Sequence, residues 1–271
     1  MALRDELIDL LRQRDVIADD ISTELAADLK RILKGLLDSI REAGTDQLTL
    51  EEIQGVRQLL RLGGYDDLLD KLEVETAHML DVTQERYRKI GLPEAFVSPN
   101  PTMIEVLIDA QRADYEFYGD EIAHTIQQSL RRSILGGQTI DQSVEVIEAA
   151  LDNAGLNPAN AYTIANSSLL DFAQRSQNVA ATEAGAEWYA FLGPDDNVTR
   201  PFCQALLDKR FTIEQIDQLD NGQIPDVFNS RGGWSCRHSW LPVFFEDQLE
   251  QFPIGDVAEA NNAASERRSA A

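Results

Sequence analysis

Leucine and isoleucine recur through about the first forty residues at intervals that place them on one face of a helix. The spacing is three or four residues, with one gap of seven, at these positions: Leu3, Leu7, Leu10, Ile17, Ile21, Leu25, Leu29, Ile32, Leu36 and Ile40. A helix gathers such residues into one stripe, whereas a strand would send them to opposite faces. The pattern therefore predicts a long amphipathic helix whose apolar seam lies against another helix, in this chain or in a partner.

Helical patterns continue to about residue 185, separated by glycine and proline. The predicted helices cover about 50–62, 66–90, 103–134, 140–151 and 158–184. Thr139 with Gln142 forms a capping box, and Pro158 after Asn157 marks a helix start. We therefore predict a helical N-terminal region at 1–98 and a helical domain at 99–185.

The pattern changes after Gly185. Residues 187–192 and 236–243 are typical of strands, with a short helix predicted between them at 213–219. The sequence thus predicts a mainly α protein with long N-terminal helices and a small α+β module at 186–245, which contains a short antiparallel sheet. We expect this module to fold separately around the aromatic residues Trp188, Phe191, Phe211 and Trp240, and 246–271 to be an acidic, flexible tail.

The charge of the chain argues against nucleic acid as a direct partner. It has 24 Lys and Arg against 47 Asp and Glu, a net charge of −23. Nucleic-acid-binding proteins usually present a basic face, and none is evident here. No apolar run approaches the roughly 20 residues of a membrane-spanning helix, so no membrane association is predicted.

Both cysteines, all three tryptophans and one of the three histidines lie between residues 188 and 240. Cys203, Cys236 and His238 are candidate zinc ligands, because zinc prefers thiolate and imidazole donors. A structural site needs a fourth ligand, for which Asp195 or a water is a weak candidate. A disulfide and two buried free thiols are the alternatives, and in every case we expect the three side chains to lie within reach of one another. His78 and His124 lie in predicted helices without a partner and are expected to be structural or exposed.

A larger set of residues carries a family resemblance. It consists of Trp188, Asp195, Thr199, Arg200, Pro201, Cys203, Phe211, Gly232, Gly233, Cys236, Arg237, His238 and Pro242. Together with the preceding helix, the set resembles the C-terminal motif of the phage Mu F-like minor head proteins, also called the phage head morphogenesis domain. The resemblance covers about 160–245. It departs from many members at 231–236, where their upstream histidine is absent, which weakens a four-ligand zinc site.

The resemblance implies a minor structural protein of a phage head, located in the virion and, during assembly, in the host cytoplasm. The implied partners are the portal protein or the major capsid protein. Self-association through the N-terminal helices is a separate expectation, which follows from the leucine seam. No cofactor is expected, and zinc at the two cysteines and His238 remains an open alternative.

Two other functions remain open at this point. One is an assembly scaffold that is absent from the mature particle. The other is a nuclease-like enzyme using Arg200, Arg237 and His238. If the protein is not a nuclease, we expect the two arginines to pair with Asp195, Asp196 or Asp226.

Overall fold

The computed structural model describes residues 3–43, 53–98 and 100–270. Its N-terminal part is helical, with the following elements: α1 (Leu3–Ala43), α2 (Val56–Leu60), a π-helical turn (Arg61–Tyr65), α3 (Asp66–Lys89), α4 (Glu94–Val97), α5 (Pro101–Leu135), α6 (Ile140–Asn153) and α7 (Pro158–Glu183). The C-terminal part contains β1 (Trp188–Leu192), α8 (Pro201–Leu206), β2 (Arg210–Thr212), α9 (Ile213–Ile216), α10 (Val227–Ser230), β3 (Ser239–Val243), α11 (Glu246–Leu249) and α12 (Val257–Ala270). The predicted fold class, mainly α with a small C-terminal sheet, is confirmed.

Helix α1 is the long amphipathic helix that the leucine spacing predicts. Its seam is buried at Leu7, Leu10, Ile21, Leu25, Leu29, Ile32, Leu36 and Ile40, while Ile17 is half-buried. The side chain of Leu3 and the predicted helix start at Leu50 lie outside the described residues. Since the seam is covered within the chain, it is not a free apolar surface.

The glycine pair separates two helices, as the sequence predicted. Gly64 has a non-helical φ of 107° at the kink between α2 and α3. Only glycine reaches this region without strain, so the chain changes direction here and continues directly into α3.

Contacts divide the chain into two compact units that alternate along the sequence. The first comprises Met1–Asp19, Ala77–Ile108 and Asn166–Ala271, and the second comprises Asp20–Thr76 and Asp109–Ala165. This division differs from the expected boundaries at 98 and 185, because α1, α3, α5 and α7 each contribute residues to both units.

The second unit is held by apolar packing and a few buried polar contacts. The Tyr65 hydroxyl donates to the carbonyl of Tyr115 over 2.6 Å, and the Thr76 hydroxyl donates to Gln111 over 2.9 Å. Gly119 lies in the middle of α5, where a Cβ would be 2.4 Å from the ring of Tyr65. This close approach explains a glycine inside a helix, where it otherwise weakens the structure.

Replacing Gly35 in α1 with alanine is expected to stabilise the protein by about 0.5–1 kcal/mol, because glycine lowers helix stability. A Cβ at Gly35 would meet no atom within 4 Å. Urea unfolding followed by circular dichroism measures the change. Gly64→Ala is the matched control and should destabilise the protein, since its φ of 107° strains any other residue. Equal effects of the two changes would contradict this account.

The sheet of the first unit has the strand order β2–β1–β3, with both pairs antiparallel. Tyr189 lies opposite Phe211 on one side of β1 and opposite Pro242 on the other. At β3, the side-chain amide of Gln174 from α7 accepts from the Trp240 N–H and donates to its carbonyl, each over 3.1 Å. Among the described strands β3 pairs only with β1, and the amide of Gln174 satisfies backbone groups on the other edge of β3.

The core around the sheet extends beyond the 186–245 module. Phe191, Phe211 and Trp240 are buried as predicted, whereas Trp188 is half-buried with the guanidinium of Arg210 5.0 Å from its ring centroid. The same apolar cluster includes residues of α1, α3 and α4: Leu7, Leu10, Leu11, Tyr87, Phe96 and Val97. The module therefore shares its core with distant segments of the chain.

The segment expected to be a flexible tail forms helix α12. Ala260 is fully buried, and Asn261 accepts from the backbone of Asp220 and donates to the carbonyl of Gln218. The segment is therefore helical and packed, because small alanine side chains let the helix approach its neighbours closely, which the sequence alone does not show. None of the helices in the described ranges has both the length and the apolar character needed to span a bilayer.

Candidate metal centre

The structure brings Cys203, Cys236 and His238 together, as the sequence predicted. Their Sγ, Sγ and imidazole nitrogen atoms all lie within 4.8 Å of one another, and all three residues are buried. Cys203 lies in α8, which begins at Pro201. Cys236 lies in the turn after Gly232 and Gly233, and His238 directly precedes β3. One short helix and one loop therefore supply two thiols and an imidazole to the same point.

The imidazole of His238 is held in one orientation. Its Nε2 lies 2.9 Å from the carbonyl oxygen of Pro194, and its Nδ1 lies 3.5 Å from the Sγ of Cys236. A carbonyl only accepts, so Nε2 carries the hydrogen. The ring also stacks on Phe191, with centroids 5.2 Å apart. Nδ1 is therefore the nitrogen that faces the thiols.

Two glycines make room for these side chains. A Cβ on Gly232 would lie 2.2 Å from the Sγ of Cys203 and 2.9 Å from the Sγ of Cys236. A Cβ on Gly193 would lie 2.6 Å from the ring of His238. Gly232 belongs to the predicted motif, while Gly193 does not. The contact of Gly193 with His238 is visible only in the folded structure, because the two residues are distant in sequence.

Arg200 holds the loop that carries Cys236. Its guanidinium donates to the carbonyls of Gly232, over 3.0 Å, and Trp234. The sequence suggested a carboxylate partner for this arginine, and the structure gives it backbone carbonyls instead. The contact clamps the glycine-rich loop to the start of α8.

Arg237 pairs with Asp196 over 2.8 Å, as one of the sequence alternatives predicted. Asp196 also accepts from the backbone N–H of Val198 and from the hydroxyl of Thr199. The hydrogen bond from Arg237, followed by these smaller contributions, lowers the pKa of Asp196 to about 2. At neutral pH the carboxylate of Asp196 is thus ionised and bound to Arg237.

A buried ion pair that the sequence did not predict lies beside the cluster. The guanidinium of Arg231 is 1% exposed, pairs with Asp171 of α7 and donates to the carbonyl of Cys236 over 3.2 Å. Burial raises the pKa of Asp171, although the positive charge of Arg231 opposes this shift. The two residues are 60 positions apart, so no local pattern signals the pair.

The two thiols differ in acidity. Hydrogen bonding to Cys236, together with burial, raises the pKa of the Cys203 thiol. Burial opposes ionisation of Cys236 too, yet the hydrogen bond from Cys203 and the positive charge of the nearby Arg231 hold the pKa of the Cys236 thiol well below its usual value.

The remaining candidates lie outside the cluster. Asp195, suggested as a fourth ligand, is exposed and does not belong to the group of ligand atoms found among the described residues. Asp226 caps α10 through the backbone of Asn229. His78 and His124 are both exposed.

Replacing Gly232 with alanine is expected to destabilise the protein by about 1–3 kcal/mol, the usual effect of overpacking a filled site. The new methyl group would overlap both sulfur atoms. Urea unfolding measures the loss, and thiol labelling of the folded variant should be faster than in the wild type. A variant of unchanged stability and labelling rate would contradict the close approach of Gly232 to the sulfurs.

Comparison with known proteins found no matching family model, no matching curated protein and no matching solved structure.

Proposed function

We propose that this protein is a structural component of a tailed-phage head, of the minor head protein type that its C-terminal motif resembles. The proposal rests on one observation: the polar side chains of the motif bind groups within the same chain. Arg200 binds two carbonyls, Arg237 binds Asp196, and His238 is 3% exposed and binds Pro194. These contacts stabilise one compact loop arrangement, which supports a structural role.

The same contacts weigh against the nuclease alternative. A phosphate-binding arginine and a general acid or base must reach the substrate. The guanidinium of Arg200 and the imidazole of His238 are instead directed at backbone carbonyls of this chain. The contacts of these three residues therefore favour a role in stabilising the fold over a role in catalysis.

Contacts with a partner would use the outer faces of the helices. The α1 seam, which could have served self-association, is covered within the chain. The net charge of −23 favours contact with proteins over contact with packaged DNA. The portal protein and the major capsid protein are accordingly the proposed partners, and the virion head is the proposed location.

Mass spectrometry of purified phage particles tests the proposal. We expect the protein in mature particles and in complexes recovered with the portal protein after co-expression. Presence in immature heads with absence from mature ones would replace the proposal with the scaffold alternative. Cleavage of DNA by the purified wild type, lost in Arg200→Ala, would replace it with the nuclease alternative.

A further inference from the structure

We propose that Cys203, Cys236 and His238 bind one zinc ion, which joins α8 to the loop preceding β3. Two thiolates and an imidazole are donors that zinc prefers, and the chain brings all three to one buried point. The inference is independent of the proposed function, since it concerns the ion that the folded chain holds.

The spacing of the donor atoms fits a tetrahedral ion. With Zn–S of about 2.3 Å and Zn–N of about 2.0 Å, a tetrahedral angle separates sulfur from nitrogen by about 3.5 Å. The distance between the Sγ of Cys236 and Nδ1 of His238 is 3.5 Å. Two sulfurs on one zinc are about 3.8 Å apart by the same reasoning. All three donor atoms lie within 4.8 Å of one another, so they need to move only slightly toward one another to bind one ion.

The surroundings of His238 are those of a metal ligand. A ligating histidine usually donates its second ring N–H to a carbonyl or carboxylate, which fixes the tautomer and directs the free lone pair at the metal. Here Nε2 is bound to the carbonyl of Pro194, and the lone pair of Nδ1 faces the sulfurs. The stacked ring of Phe191 further restricts rotation.

Zinc accounts for the cluster better than a disulfide does. A disulfide would engage both sulfurs and leave the Nδ1 lone pair of His238 without a donor in a buried site. An unsatisfied buried polar atom costs about 1–3 kcal/mol. A zinc ion uses all three donor atoms and releases the thiol protons on binding.

The described residues supply three ligands, and a water would complete a tetrahedral zinc ion. The carboxylate of Asp171, which lies beside the cluster, is committed to Arg231. Within the described ranges, the site therefore has three protein ligands.

Metal content of the full-length protein, purified from zinc-supplemented cells without chelator, tests the proposal. We expect about one zinc per chain, with loss of the ion in Cys203→Ser, Cys236→Ser and His238→Ala. His78→Ala and His124→Ala, both at exposed histidines, are the matched controls and should keep the zinc.

A second measurement does not depend on how the variants fold. Wild-type protein stripped of metal and titrated with cobalt(II) should give the thiolate charge-transfer band and the intense visible bands of a tetrahedral cobalt site. Chelation should also lower the melting temperature, and zinc should restore it.

Three results would overturn the proposal. One is a purified protein without zinc in which both thiols titrate after denaturation. Another is an intact mass that shows a Cys203–Cys236 disulfide. The third is a cobalt spectrum of octahedral type without a thiolate band.

Discussion

Replacing Trp240 with alanine is expected to lower the free energy of unfolding by about 3–5 kcal/mol, the range for truncating a large buried aromatic residue. The indole is fully buried and donates from Nε1 to the carbonyl of Val227 over 3.0 Å. Its ring lies 4.6 Å from that of Phe191 and 5.6 Å from that of Phe211, between centroids. The substitution therefore removes both packing and a hydrogen bond from the centre of the first unit.

Trp234→Ala is the matched control for this prediction. The side chain of Trp234 is 56% exposed, so its loss should change stability by no more than about 0.5 kcal/mol. Urea unfolding followed by far-UV circular dichroism suits both variants, since it does not rely on the fluorescence of the residue that is removed. A Trp240 variant as stable as the Trp234 variant would show that β3 does not depend on this side chain.

Elements specified by neighbouring residues were predictable from the sequence. The leucine spacing predicted α1, and the capping box predicted at Thr139–Gln142 is formed. The helix predicted from residue 213 begins there, with a capping box formed by Thr212 and Gln215. Strands β1 and β3 lie within the predicted ranges. In each of these cases the signal is the periodicity or the hydrogen-bonding capacity of residues only a few positions apart.

Features that depend on distant residues were not predictable. The two units alternate along the chain because long helices contribute to both, and no local signal marks the point of division. Helix α12 was missed because its burial rests on alanine, whose small size matters only once a neighbour is known. The partner of a residue distant in sequence is a property of the folded chain.

The candidate metal site falls between these two cases. The cysteine and histidine types were visible in the sequence, and their concentration in one stretch predicted that they meet. The carbonyl of Pro194 that orients His238 was not visible, because backbone groups carry no sequence signature. Residue type thus indicated the donors, while the backbone geometry determines which nitrogen faces the sulfurs.

Replacing Arg231 with methionine is expected to destabilise the protein by about 3 kcal/mol, near the lower end of the effect of breaking a buried ion pair. Methionine fills part of the space of the arginine stem but leaves the carboxylate of Asp171 without its cation. The side chain of Arg231 is 1% exposed and that of Asp171 is 31% exposed, so water partly screens the abandoned charge. Because Asp171 keeps this partial hydration, the expected destabilisation lies at the lower end of the range for breaking a buried ion pair.

Arg237→Met provides the matched comparison, since it removes the same charge only six residues away. The pair of Arg237 with Asp196 is more than a third exposed on both sides, and such pairs contribute at most about 1 kcal/mol.

A second comparison isolates the charge of Asp171. In the double variant Asp171→Asn with Arg231→Met the uncompensated carboxylate is gone, so part of the lost stability should return. If the double variant were less stable than Arg231→Met by the full effect of Asp171→Asn alone, the two side chains would not be coupled. Arg231 would then stabilise the loop through the carbonyl of Cys236 and through packing, with no contribution from the ion pair.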